Sequence, residues 1–158
     1  MIMKTIRSFV AASILGLCFA GISPAALAAK APEPVKSVLD NYEKIRQALA
    51  QDSLKGIADH AQAIAKAVRE DQSKTIPAKI ADDADKLAKA QDLKMAREDF
   101  KPLSADLVAY LEQNKTGSGY HEMYCPMAKA NWIQKSKKVD NPYMGKSMPR
   151  CGEMKREF

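Results

Sequence analysis

The sequence predicts an all-α protein: an antiparallel four-helix bundle with an irregular, Cys/Met-rich C-terminal segment packed on it. Three observations carry that expectation. Apolar residues recur at steps of three and four from Val35 to Leu111. The stretches that carry them are joined by only a few residues, with almost no β-patterned sequence between. The helical period then stops at "NKTGSGY", and Pro126, Pro142, Gly145, Pro149 and Gly152 punctuate the rest of the chain.

The first helix is marked by Val35, Val38, Leu39, Tyr42, Ile45 and Leu49, a single buried stripe. Asp52 or Ser53 is placed to cap the second, whose stripe is Leu54, Ile57, Ala61, Ile64 and Val68. Thr75 opens the third, with Pro77 tolerated in its first turn and Ile76, Ile80, Ala84 and Leu87 facing inward. Its outer face is charged. Leu93, Ala96, Phe100, Leu103, Leu107 and Leu111 mark the fourth, where Pro102 removes a backbone donor and is expected to kink or split the helix. From Tyr120 onward the chain reads as turn-rich. Such a segment needs a cross-link, a metal, or docking of Tyr124, Trp132 and Tyr143 onto the bundle to become ordered.

The N-terminus reads as a secretory signal over residues 1–28. Lys4 and Arg7 precede an apolar run from Phe9 to Ile22, and Ala26-Leu27-Ala28 supplies the small residues of a cleavage site. Leu17 before Cys18 disfavours a lipoprotein anchor. The expected organisation is a leader at 29–33, a helical bundle at 34–116, and a C-terminal segment of the same domain at 117–158. The product is expected to be exported, periplasmic and soluble, without stable membrane insertion. Losing Lys4 and Arg7 takes the formal charge from +6 to +4. In an exported chain this mild excess, without a groove of basic and aromatic residues, does not point to nucleic acid.

Sulfur is unevenly placed. Beyond the leader there are six methionines, and five of them, Met123, Met127, Met144, Met148 and Met154, lie in the last 36 residues beside Cys125 and Cys151. Core methionines would favour the helices, which hold only Met95. Thiolate and thioether are soft donors that prefer Cu(I) or Ag(I) to cations that want oxygen. The pattern therefore suggests a metal site of Cys125, Met127, Met148 and Cys151, with His121, Met123, Met144 and Met154 as secondary donors. Zinc is disfavoured, since structural zinc sites take four Cys or His ligands and this segment has two cysteines and one histidine.

The same residues admit a second reading. An exported chain with two cysteines meets an oxidising compartment, and a Cys125–Cys151 disulfide would stabilise the fold by roughly 3 to 3.5 kcal/mol in the loop-entropy model. No catalytic arrangement is recognisable: His121 and Cys125 lack an orienting third group, and there is no C-x-x-C and no glycine-rich phosphate loop. The chain is not expected to be an enzyme. His60 reads as a half-exposed structural side chain, Trp132 as an anchor, and Asn141-Pro142-Tyr143-Met144-Gly145 as a turn.

At "YCPMA", "WIQ", "NPYMG" and "M-x-x-CGE", and in the helices at "ALAQD" and "F-x-x-LS", the chain resembles a periplasmic helical domain of undefined function. That domain occurs alone or at the C-terminus of copper/silver (heavy-metal) efflux adaptor proteins. A looser likeness, at Tyr124 to Met127 and at Cys151-Gly152, is to short heavy-metal-binding modules. Ala128 stands where that module has histidine, and an earlier paired cysteine is missing. The resemblance implies a protein of metal efflux or homeostasis, with an efflux adaptor or a periplasmic copper chaperone as partner. The alternative is a non-metal interaction module whose tail the disulfide closes.

Overall fold

A computed structural model describes residues 33–115 and 118–158. The signal segment and nearly all of the leader lie outside the described residues. Four helices come first: α1 (Glu33–Ala50), α2 (Ile57–Arg69), α3 (Ala78–Leu87) and α4 (Leu93–Asn114). Three short strands come after them: β1 (His121–Cys125), β2 (Ala130–Gln134) and β3 (Glu153–Glu157). They form one antiparallel sheet in the order β2-β1-β3. The protein is therefore mixed α and β, which corrects the all-α expectation and the irregular C-terminal segment with it.

The helical stripes lie where the apolar periodicity puts them. Tyr42, Ile45, Leu49, Ile64, Ile80, Leu87, Phe100, Leu103, Leu107 and Leu111 are all essentially inaccessible. Each helix packs mainly on its neighbour in sequence, and β2 packs on α4 and touches α1. Between α1 and α4 the rings of Tyr42 and Phe100 stack at 4.8 Å. The Tyr42 hydroxyl meets Ser104 Oγ at 2.7 Å and accepts the Ile133 N–H at 3.3 Å, so one side chain ties α1, α4 and β2 together. Tyr120 adds a second tie, donating to the Leu39 carbonyl at 3.0 Å.

Helix ends depart from the sequence expectations. Gly56, at φ +79°, rather than Asp52 or Ser53, precedes α2, and Leu54 is left outside it and exposed. α3 starts after Pro77 instead of at Thr75, because the Asp71 carboxylate takes the backbone N–H groups of Ser73, Thr75 and Ile76 and holds that stretch in a turn. Asp92 caps α4 by accepting the Met95 N–H at 2.7 Å. Pro102 does not split α4, which continues through it. The fully buried Phe100 and Leu103 on either side hold that turn in the core.

Candidate metal centre

The site grows out of the β1–β2 hairpin. Cys125 ends β1 and pairs with Ala130 of β2, leaving Pro126 to Lys129 as the turn. Lys129, at φ +51°, closes it. This turn folds the chain back over its own cysteine, and the Ala128 N–H donates to Cys125 Sγ at 3.4 Å.

Cys151 arrives from a loop that Asn141 organises. The Asn141 side chain is fully buried; its Oδ1 accepts the N–H groups of Tyr143 and Met144, and its Nδ2 donates to the Cys151 carbonyl. The Asn141 N–H donates to Pro149 and the Cys151 N–H to Met148, so the backbone on both sides of Cys151 is fixed. Gly152 then carries the chain past the sheet at φ +138°; a Cβ there would lie 2.8 Å from the Tyr124 carbonyl oxygen and 2.9 Å from Trp132 Cη2. Only glycine fits so close an approach.

Two arginines fasten this loop to the helices. Arg46, buried on α1, pairs with Glu43 and donates to both the carbonyl and the carboxylate of Asp140. Arg97 of α4 donates to the carbonyls of Pro142 and Leu49 and to the Asp52 carboxylate, which also accepts the Lys146 N–H. Gln134 completes the frame by accepting from Trp132 Nε1 and the Asp140 N–H. Neither Arg46 nor Arg97 stands out in the sequence; Gln134 and Asn141 are marked only by the short motifs WIQ and NPYMG, and the turn signal of Asn141-Pro142 says nothing of what the turn holds.

The outcome is that Cys125 Sγ and Cys151 Sγ lie 3.2 Å apart as unbonded thiols, 26 positions apart in the chain but adjacent in space. Their environments differ: Cys125 is wholly buried and Cys151 only partly so. Burial pushes the Cys125 thiol up, but the Ala128 N–H, the Cys151 thiol, Asn141 and the Met127 N–H outweigh it and hold it below the ordinary thiol value. Cys151 lies above that value, chiefly because its S–H donates to Cys125, with desolvation and the Cys125 charge adding to this. Of the pair, Cys125 is thus the more readily deprotonated.

Of the other residues singled out for metal, Met127 sits in the Cys125 turn but is 67% exposed, and Met148 is 39% exposed. Met127 and Met144 line one surface cleft with Arg97, Glu98 and Lys101. Met123 is fully buried two residues before Cys125 on the same face of β1, and Met154 is its exposed cross-strand partner. His121 is buried with Nδ1 unpartnered, 3.9 Å from Glu157 Oε2. It stands four residues from Cys125, which along a strand separates their Cα atoms by roughly 13 Å. The structure thus brings the two thiols together and leaves the histidine apart. Among the described residues no group of three or more His, Cys, Asp or Glu is placed to hold a metal ion.

The separation of the thiols is longer than a sulfur–sulfur bond of about 2.05 Å and shorter than the roughly 3.8 Å between two thiolates on a tetrahedral centre with bonds of about 2.3 Å, so it corresponds to neither state.

A family model described as "Protein of unknown function (DUF3347)" matches residues 38–119, just over half of the chain. The chain belongs to the DUF3347 family. The DUF3347 match takes in nearly all of the helices and ends immediately before Tyr120 and β1, so both cysteines lie beyond it. No curated protein and no solved structure matches the chain.

Proposed function

We propose that this DUF3347 protein is an exported, non-enzymatic carrier of Cu(I) or Ag(I) that binds the metal through Cys125 and Cys151. The observation that carries the reading is the meeting of the two thiols at 3.2 Å. Two soft sulfur donors with no cluster of oxygen or imidazole ligands among the described residues suit a monovalent soft metal. Met127 and Met148 lie on the two segments that bear the cysteines, and their exposed thioethers suit the capture of metal and its transfer by exchange of one ligand at a time. The periplasm, an efflux adaptor or copper chaperone as partner, and a role in metal efflux or homeostasis belong to this proposal. They rest on the signal-like N-terminus and on the likeness to efflux-adaptor domains.

The test is titration of the reduced protein with Cu(I) against a competing chelator. Replacing residues that merely orient a metal's ligands costs about 10–100-fold in affinity, so Cys125→Ser with Cys151→Ser is expected to weaken binding more than about 100-fold. Unchanged affinity in that double variant would remove the site. The same 3.2 Å approach favours a second reading, in which a Cys125–Cys151 disulfide closes an interaction module. That reading requires no free thiols in protein isolated from its native compartment, and a melting temperature that falls on reduction and is not restored by metal.

A further inference from the structure

The two sulfurs of the pair are unequal in access, and this bears on how the pair changes redox state. Thiol–disulfide exchange proceeds by attack of a thiolate along the sulfur–sulfur axis, from the side opposite the sulfur that leaves. For an attack on Cys125 the nucleophile must come from behind Cys125, through the protein: the residue has no accessible surface, and its neighbours on the hairpin, Met123, Ala130 and Trp132, are buried as well. Cys151 is the partly exposed member of the pair. Its backbone is held on both sides, by Met148 through its N–H and by Asn141 through its carbonyl, so it stays in place when its sulfur is released. On the other side of the bond, Cys125 has a backbone N–H, that of Ala128, already directed at its sulfur.

We infer that Cys151 is the exchange sulfur of this protein, the atom at which a small-molecule thiol such as glutathione forms its mixed disulfide, with Cys125 as the sulfur that leaves and later returns. In the reductive direction a thiolate attacks Cys151 Sγ; the new sulfur–sulfur bond forms there, and the Cys125–Cys151 bond breaks. Its electron pair stays on Cys125 Sγ as a thiolate facing the Ala128 N–H. A second thiolate then attacks the small-molecule sulfur of the mixed disulfide and frees Cys151. Two external thiols end as one disulfide, and the protein gains the two electrons as a pair of thiols. In the oxidative direction, the Cys125 thiolate displaces the small thiol from Cys151 and closes the bond. This inference rests on the meeting and unequal access of the two sulfurs and does not depend on metal affinity.

The experiment uses metal-free protein kept under a chelator. The wild-type disulfide is partly reduced with glutathione, quenched with acid, and the adduct mapped by peptide mass spectrometry. The glutathione is expected on Cys151. In a second arm the reduced single-cysteine variants react with glutathione disulfide: Cys125→Ser, which keeps Cys151, is expected to be modified at least about tenfold faster than Cys151→Ser, because access controls the rate. An adduct found mainly on Cys125, equal rates in the two variants, or failure of the wild-type protein to form the disulfide under glutathione disulfide would each overturn the inference. The wild-type mapping needs no variant and so stands even where a substitution impairs folding. Weak Cu(I) binding in the separate titration would leave these outcomes unchanged.

Discussion

Replacing Gly152 by alanine tests how the fold delivers Cys151 to Cys125. At φ +138° the backbone is one that residues with a Cβ rarely adopt, which alone costs on the order of 1–3 kcal/mol. The added methyl would lie 2.8 Å from the Tyr124 carbonyl oxygen and 2.9 Å from Trp132 Cη2. Neither neighbour can give way easily. The first is backbone of β1, the central strand; the second is a fully buried ring packed edge-on against Tyr143 at 5.9 Å. Overpacking of this kind adds about 1–3 kcal/mol, so the total is expected to be about 2–6 kcal/mol. Urea unfolding followed by the fluorescence of Trp132, the chain's single tryptophan, measures it directly. Gly119→Ala is the control. That glycine also has positive φ, +69°, but nothing lies within 4 Å of its would-be Cβ, so it carries the backbone cost without the clash and is expected to lose only about 1 kcal/mol. Equal losses in the two variants, or a loss below about 1 kcal/mol for Gly152→Ala, would refute the steric reasoning. Slower closure of the Cys125–Cys151 disulfide should accompany the stability loss.

Three further outcomes are expected. Tyr42→Phe removes the hydroxyl shared by Ser104 and the Ile133 N–H, leaving two buried polar groups short of a partner, and should cost about 1–3 kcal/mol in the same urea experiment. Arg46→Met strands the buried Glu43 carboxylate and frees Asp140; it should cost about 3–5 kcal/mol, and adding Glu43→Leu should recover much of that. Asp71 accepts hydrogen bonds from Ser73, Ile76 and Thr75, which lower its pKa from 3.8 to about 2. A depressed carboxylate pKa contributes stability that is complete above the unfolded value and is lost as pH falls from 3.8 toward 2. Asp71→Asn should therefore be less stable than wild type at neutral pH and converge with it near pH 2, as acid titration of the melting temperature would report.

The helical half was legible because its stripes obey one period over many turns. Val35 to Leu49 and Leu93 to Leu111 are stripes of that kind, and every apolar position marking the first helix is buried. The sheet was hidden for two opposite reasons. β1 is buried along nearly its whole length, at His121, Glu122, Met123 and Cys125, so no inward–outward alternation appears in its sequence. β3, "EMKRE", is exposed at every position and shows no apolar face at all. Glu122 is buried between its neighbours in the sheet, with Arg156 on β3 approaching its Oε2 at 2.7 Å and Asn131 on β2 donating to its other oxygen. At the candidate site, clustering marked out Cys125 and Cys151, but the exposed thioethers of Met127 and Met148 show that nearness in sequence to a cysteine does not imply burial beside it.

What sequence could not supply is the reason the two thiols meet, because it lies in long-range contacts. The loop from Asp140 to Cys151 is held by Arg46 on α1, by Arg97 on α4 and by Asp52 between α1 and α2. All three lie inside the family match, whereas both cysteines lie outside it. The sheet adds to this hold through β2, where Gln134 accepts the Asp140 N–H and the Asn131 carbonyl accepts the Tyr143 hydroxyl, and β2 in turn finds its cover on α4. The helical part therefore works as a jig, whose arginines set where Cys151 stands while the hairpin turn sets where Cys125 stands. A helical scaffold shared across a family fixes no chemistry by itself. The chemistry of this chain depends on what its C-terminal segment sets against that scaffold.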